Sequence, residues 1–140
     1  MTYAQQSDYA ALLLRVATGG LFVAHGLLKV LVFTIPGTVG YFESLGLPAI
    51  FAYLTILAEI GGGLALIVGF QTRVVSLALV PVLIGAAVRG HGANGGVFSN
   101  EGGGWEFPAF WAVVQLSLVL LGDGAYALKP RKLLARPSHA

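Results

Sequence analysis

Long apolar runs alternate with short polar or glycine-rich connections along the chain. Four runs stand out: Tyr9 to Phe33, Ile50 to Gly69, Val74 to Gly90 and Phe107 to Leu121. An α-helix rises ~1.5 Å per residue, so ~20 residues cross a hydrocarbon layer ~30 Å thick. The first two runs span without help; the last two need their flanks, and the fourth is expected to continue through Gly122 to Ala125. The expected spans are therefore 9–33, 50–69, 74–90 and 107–125. Short connections between four such helices predict an all-α fold, an integral membrane four-helix bundle formed as a single domain over residues 1–140.

Polar residues interrupt these runs at informative places. Arg15, His25 and Lys29 lie in the first run and Glu59 in the second. At ~100° per residue, Arg15, Phe22, His25 and Lys29 share an arc of roughly 80° on the first helix, opposite Leu13, Val16, Leu21, Val23 and Leu27. An ionised side chain inside a bilayer is costly, so this arc is expected to face the bundle interior and its charges to find partners. In antiparallel helices, His25 and Glu59 both fall ~12 to 14 Å below the same membrane boundary, with Lys29 one turn nearer to it. His25, Lys29 and Glu59 thus form the expected catalytic cluster. The spacing is equally compatible with an ion pair that only fixes helix register. Arg15, near the opposite boundary, has Asp123 of LLGDGAY as its expected partner in a structural ion pair closing that end.

Composition supports the membrane class and removes others. Hydrophobic residues make up 56% and charged residues 10%, with a mean hydropathy of +0.82. The chain has no cysteine, which excludes disulfides, thiolate metal sites and redox chemistry by its own thiols. No metal site is expected. The first run lacks basic residues before it and is too long for a removable signal peptide. Lys129, Arg131, Lys132 and Arg136 in the tail, with Arg73 between the second and third runs, predict both termini cytoplasmic. The same tail suits anionic lipid, and without interleaved aromatics it does not suggest nucleic acid.

This topology makes Pro36 to Ala49 and Gly92 to Gly104 the outward connections. The second, GANGGVFSNEGGG, carries no phosphate-loop lysine and is either a flexible linker or a lid over the bundle mouth. Arg89, His91, Trp105 and Glu106 gather beside it, and His91, Trp105 and Glu106 join His25, Lys29 and Glu59 as expected ligand-binding residues. Trp105 also suits an interfacial anchor and Glu106 a helix start. Gly61, Gly62 and Gly63 should allow close helix packing. Pro81 should kink the third span and widen a cavity. Arg73 is expected to cap a helix C-terminus.

Several short motifs occur in a recognisable order. They are R-x9-HG-x2-K at Arg15, His25, Gly26 and Lys29; GLP at Gly46 to Pro48; AE-x2-GG at Ala58, Glu59, Gly62 and Gly63; and G-x2-TR at Gly69, Thr72 and Arg73. GGGWEFP, Gly102 to Pro108, and GDGAYAL follow. In this the chain resembles the DoxX family of small four-helix membrane proteins, which includes DoxD-like subunits. It departs from the family's closing stretch at Ala127, in place of serine, and Lys129, in place of aspartate. The resemblance implies quinone-linked redox in respiratory or sulfur oxidation in a bacterial or archaeal cell membrane, with a soluble or membrane redox partner supplying electrons.

The first functional expectation is therefore a membrane subunit of a quinone-linked oxidoreductase system, with a non-covalently held quinone at His25, Lys29 and Glu59. No covalently bound cofactor is expected, and haem ligation by His25 and His91 is disfavoured because His91 lies near the membrane edge. Two alternatives stand beside it: a proton-coupled small-molecule transporter, working as a homo-oligomer, and a non-catalytic assembly or anchor subunit for a redox partner.

Overall fold

The structure is a computed structural model and describes residues 1–128. The described residues are all-helical. Helix α1, Tyr3–Leu27, begins at a capping box in which the Thr2 hydroxyl accepts from Gln5 N and the Gln5 side chain accepts from Thr2 N. It continues into one π-helical turn, Leu28–Val32, closed by Phe33 N donating to Leu28 O at 2.9 Å. Next come α2, Ile35–Ser44, α3, Ala49–Val68, and α4, Thr72–Gly85. A second π turn, Ala86–Gly90, extends α4, and α5 is Glu106–Leu121.

With their π turns, α1 and α4 run Tyr3–Val32 and Thr72–Gly90, and these two and α3 are each long and apolar enough to cross a membrane. Helix α5 is apolar and shorter. It stops at Leu121, not Ala125 as expected, because Gly122 takes φ 82 and ψ −157 and turns the chain away. The segment after it folds under the bundle, where Ala125 N donates to Asp8 O and Leu128 N to Val68 O. The described chain thus begins and ends at one end of the bundle. The basic residues Lys129, Arg131, Lys132 and Arg136 lie outside the described residues.

Helices α1 and α3 make the tightest seam. A Cβ on Gly19 would stand 2.7 Å from Gly63 O, and one on Gly63 the same distance from Gly19 O. Only glycine at both positions lets the backbones approach this closely. Gly62 instead faces Leu79, and Gly61 faces open space, so the expected packing role belongs chiefly to Gly63. Phe22, Leu66, Leu79, Leu83, Trp111 and Ala112 form the apolar core between α1, α3, α4 and α5. The expected outer face of α1 is exposed at Leu13, Val16, Leu21 and Leu27, while Val23 packs against Gly63.

Both outward connections are structured. Residues 36–44 belong to α2, which starts with Thr34 accepting from Gly37 N and with proline in its first turn. In the Gly92 to Gly104 connection, Asn94 Nδ2 donates to Gly102 O and Gly103 O, and Trp105 N and Glu106 N bond Gly95 O and Gly96 O. These bonds hold the loop over the start of α5, which departs from a plain linker.

Candidate functional site

Close α1–α3 packing brings Lys29 and Glu59 together. A Cβ on Gly26 would stand 2.5 Å from Ile60 Cγ1 and 3.3 Å from Glu59 Cβ, so α1 lies directly against the turn of α3 that carries the carboxylate. From the π turn, Lys29 Nζ donates to both Glu59 oxygens, at 2.9 and 3.1 Å. The side chains of Lys29 and Glu59 are 19% and 9% exposed. The extra residue of the π turn alters the direction in which Lys29 leaves the helix, a use these turns often have at working sites. Thr38 of α2 secures the turn from outside, its hydroxyl lying 2.9 Å from Lys29 O and 2.8 Å from Thr34 O.

The pair forms the polar wall of a cavity of about 650 Å³ between α2, α3 and α4. Leu54, Leu57 and Ala58 of α3 and Pro81, Val82 and Gly85 of α4 supply apolar walls. Pro81 therefore borders the cavity, as expected, and its missing N–H removes one hydrogen bond from α4 there. Tyr41 and Phe42 of α2 cover the end of the cavity, and the Tyr41 hydroxyl donates to Gly90 O at 3.4 Å. A smaller space of about 500 Å³ on the other side of these two rings is also bordered by Lys29, Phe33, Thr38 and His91.

His91 borders both spaces. Its Nδ1 lies 3.1 Å from both Gly102 O and Gly103 O. Carbonyl oxygens only accept, so Nδ1 carries a proton, and Nε2 meets no partner among the described residues. Arg89 borders the larger cavity as well.

The other expected site residues are placed differently. His25 Nδ1 donates to Leu21 O at 2.8 Å and its ring stands edge-on to Trp111, with centroids 5.2 Å apart. His25 lies within electrostatic range of Glu59 but does not border the cavity. Trp105 and Glu106 are exposed at the start of α5 and border neither space. Lys29, Glu59 and His91 are thus brought together, and His25, Trp105 and Glu106 are not. Among the described residues, no three His, Cys, Asp or Glu side chains gather closely enough to hold a metal ion.

Arg15 and Asp123 do not form the expected ion pair. Arg15 is fully buried and donates to Leu66 O, Ile67 O and Ala125 O, at 3.2, 3.0 and 2.6 Å. The carbonyls at the end of α3 are incompletely partnered, Leu66 O accepting only a cap bond from Gly69 N, and carry the negative end of the helix dipole, so they draw the guanidinium. Asp123 instead accepts from Thr72 N at 3.0 Å, capping the start of α4. Arg73 leans on Leu120 O at the end of α5, 3.5 Å away, so the helix end it meets belongs to α5.

Sequence reasoning missed Tyr41 and Phe42 because it took their segment for a connection. The available signal was Thr34-Ile35-Pro36, a helix start, followed by apolar Ile35, Val39 and Phe42 at helical spacing.

The DoxX family model matches residues 10–92, a stretch that contains Lys29, α2, Glu59 and His91. The chain is similar to "Putative oxidoreductase CatD" of Bacillus subtilis (strain 168), 33% identical over 123 residues that cover 88% of this chain and 87% of that protein. It is also similar to two proteins of Escherichia coli (strain K12). "Inner membrane protein YqjF" is 31% identical over 126 residues, covering 86% of this chain and 90% of the relative. "Inner membrane protein YphA" is 28% identical over 127 residues, covering 86% and 88%. No solved structure matches the chain significantly. Its apolar helices agree with the membrane placement in the names of the two Escherichia coli relatives. This membrane protein belongs to the DoxX family.

Proposed function

We propose that the chain is a membrane component of a quinone-linked oxidoreductase system, crossing the membrane several times with both termini cytoplasmic. It binds a quinone head group, non-covalently, at the Lys29–Glu59 wall of the larger cavity. The observation that carries this reading is a charged pair bordering an otherwise largely apolar space of about 650 Å³. Small-molecule sites of ~300–1,000 Å³ have this character, mostly apolar with a few polar groups that fix orientation. The name of the Bacillus subtilis relative points the same way.

The residues fit such a head group. Lys29 uses two donations on Glu59, and an ammonium has three N–H groups, so one remains for a carbonyl oxygen. His91 Nε2 accepts a hydrogen bond from a hydroxyl, so the site serves both the oxidised and the reduced form of a head group. Glu59 holds the Lys29 ammonium in place through both of its oxygens. When bound, a quinone supplies two-electron, two-proton redox capacity. The chain's own residues orient the head and hold protons at Lys29 Nζ and His91, while a redox partner supplies the electrons.

The test is titration of purified protein with a short-chain quinone, followed by tryptophan fluorescence, in the native chain, Glu59→Gln and Lys29→Met. Saturable binding to the native chain that weakens at least tenfold in Lys29→Met is expected. Equal, negligible binding in all three overturns the reading.

A further inference from the structure

The larger cavity is covered at one end and open at one side. Across its end lie Tyr41 and Phe42 of α2, tied to α4 through Gly90. Toward the gap between α3 and α4 there is no such cover. Phe51, Leu54 and Leu57 border the cavity from α3 and are 47%, 51% and 69% exposed. Pro81 and Gly85 border it from α4 and are exposed too.

The gap has a local cause. Nearer the chain ends α3 and α4 meet closely, a Cβ on Gly62 falling 3.1 Å from Leu79 Cδ1. Beyond Leu79, α4 passes from Pro81 through Gly85 into its π turn. A Cβ built on Gly85 meets nothing within 4 Å. Gly85 thus borders the cavity without a side chain to narrow it. Both helices are long and apolar enough to cross a membrane, and the slot left by the gap lies between them.

We infer that the site admits its ligand sideways, from within the bilayer through the slot between α3 and α4, and that the ligand is an amphiphile. Its polar head rests against Lys29, Glu59 and His91. Its hydrocarbon tail lies in the slot along Leu54, Leu57 and Gly85. The identity of the head rests on the quinone reading above; the tail requirement rests on the slot alone. Water-soluble ligands of the same head chemistry lack the tail that concentrates an amphiphile in the bilayer and packs in the slot.

The experiment fills the slot. Gly85→Leu adds a side chain to open space in a helix, where leucine is also the better helix former, so folding is expected to survive. Circular dichroism and gel filtration check this. Binding of a tail-less benzoquinone and its decyl-tailed form is measured in detergent for the native chain, Gly85→Ala and Gly85→Leu. The expected result is a loss in Gly85→Leu at least tenfold greater for the decyl form than for the tail-less form. Equal losses for both forms, or none for either, overturn the inference.

A second arm does not depend on the quinone. A decyl amphiphile with a neutral head and a photoactivated diazirine on its chain is cross-linked to the protein in nanodiscs and mapped by mass spectrometry. Labelling of Leu54 and Leu57 that disappears in Gly85→Leu, while lipid-facing Leu120 stays labelled, supports the slot. Undiminished labelling in Gly85→Leu sinks it. If quinones fail to bind but slot labelling behaves as expected, the quinone reading falls and the sideways route stands. Decyl-quinone that displaces the label identifies the occupant as a quinone tail, whereas displacement by added phospholipid alone shows a lipid chain there and overturns the assignment to a bound ligand.

Discussion

Gly63→Ala tests whether the α1–α3 seam sets the site. The new methyl group would stand 2.7 Å from Gly19 O, 2.8 Å from Val23 Cγ2 and 2.9 Å from Val23 N. Ordinary contact begins at 3.4 Å, so α1 must retreat by about 0.7 Å, the difference from 2.7 Å. Two of the three atoms are backbone, and no rotamer change relieves them. Overpacking of this kind costs ~1–3 kcal/mol. Alanine is a better helix former than glycine by ~0.5–1 kcal/mol, which offsets part of that cost. The net expectation is a loss centred on about 1 kcal/mol, between about 0 and 2.5. Gly61→Ala is the internal control, since its methyl group meets nothing within 4 Å on the same helix and only the propensity gain remains. Thermal unfolding in one detergent, followed by circular dichroism, should rank Gly61→Ala at or above the native chain and Gly63→Ala clearly below. If Gly63→Ala melts with or above Gly61→Ala, the seam is not tight and the placing of Lys29 against Glu59 needs another cause.

Three further outcomes follow from the charges. Lys29→Met strands a buried carboxylate and, because Lys29 is 19% exposed, should cost near the lower end of the ~3–5 kcal/mol seen for broken buried pairs; Lys29→Met with Glu59→Leu should recover most of it. Melting curves for the native chain, both single variants and the double variant check this, and a double variant as unstable as Lys29→Met refutes it. Arg15→Met removes three charge-assisted donations to carbonyls and should cost at least ~2 kcal/mol in a detergent unfolding titration. Arg15→Lys should not restore it, because one ammonium cannot match the guanidinium fork; full rescue by lysine would contradict the geometry. Asp123→Ala should cost ~1 kcal/mol by uncapping α4, and Asp123→Asn less than half of that, both read from the same titration.

Much of the fold and part of the site were legible in the sequence, for reasons that differ by residue. Four apolar runs gave the long helices because length and hydropathy dominate a chain of this composition. The Lys29–Glu59 pair was legible from helical rise and from the cost of an isolated charge in hydrocarbon. The choice of Lys29 over His25 as the partner was not, because depth arithmetic assumes a regular helix and the π turn at Leu28–Val32 redirects Lys29. Helix α2 was hidden since ten amphipathic residues are too short to stand out beside spans of 20 or more. Arg15 and Asp123 were matched by charge alone. Helix ends offered each a better partner, and backbone partners of that kind carry no side-chain signature in the sequence.

Regular and irregular features are distributed unequally between the two ends of the bundle. At the end holding the chain termini, Thr2 and Asp123 cap helix starts, Arg15 and Arg73 meet helix-end carbonyls, and glycines close the turns. Each device satisfies groups that a helix end leaves open. Left-handed non-glycine residues occur at both ends, Gln71 and Tyr126 at this one and Thr34 at the other. Both π turns, however, and the cavity beside the only ion pair among the described residues lie at the opposite end, with Pro81 midway along α4. Enclosing a register-fixing pair completely strengthens its attraction but also raises the cost of desolvating both charges, so such a pair needs no cavity beside it. Here one flank of the pair faces open volume while Thr38 holds the lysine's backbone from the other side. Local departures from regular structure persist when surrounding packing sustains them, and they collect at working sites. Register fixing accounts for the pair and gives the open cavity beside it no role, whereas the ligand proposed for Lys29 and His91 would occupy that cavity.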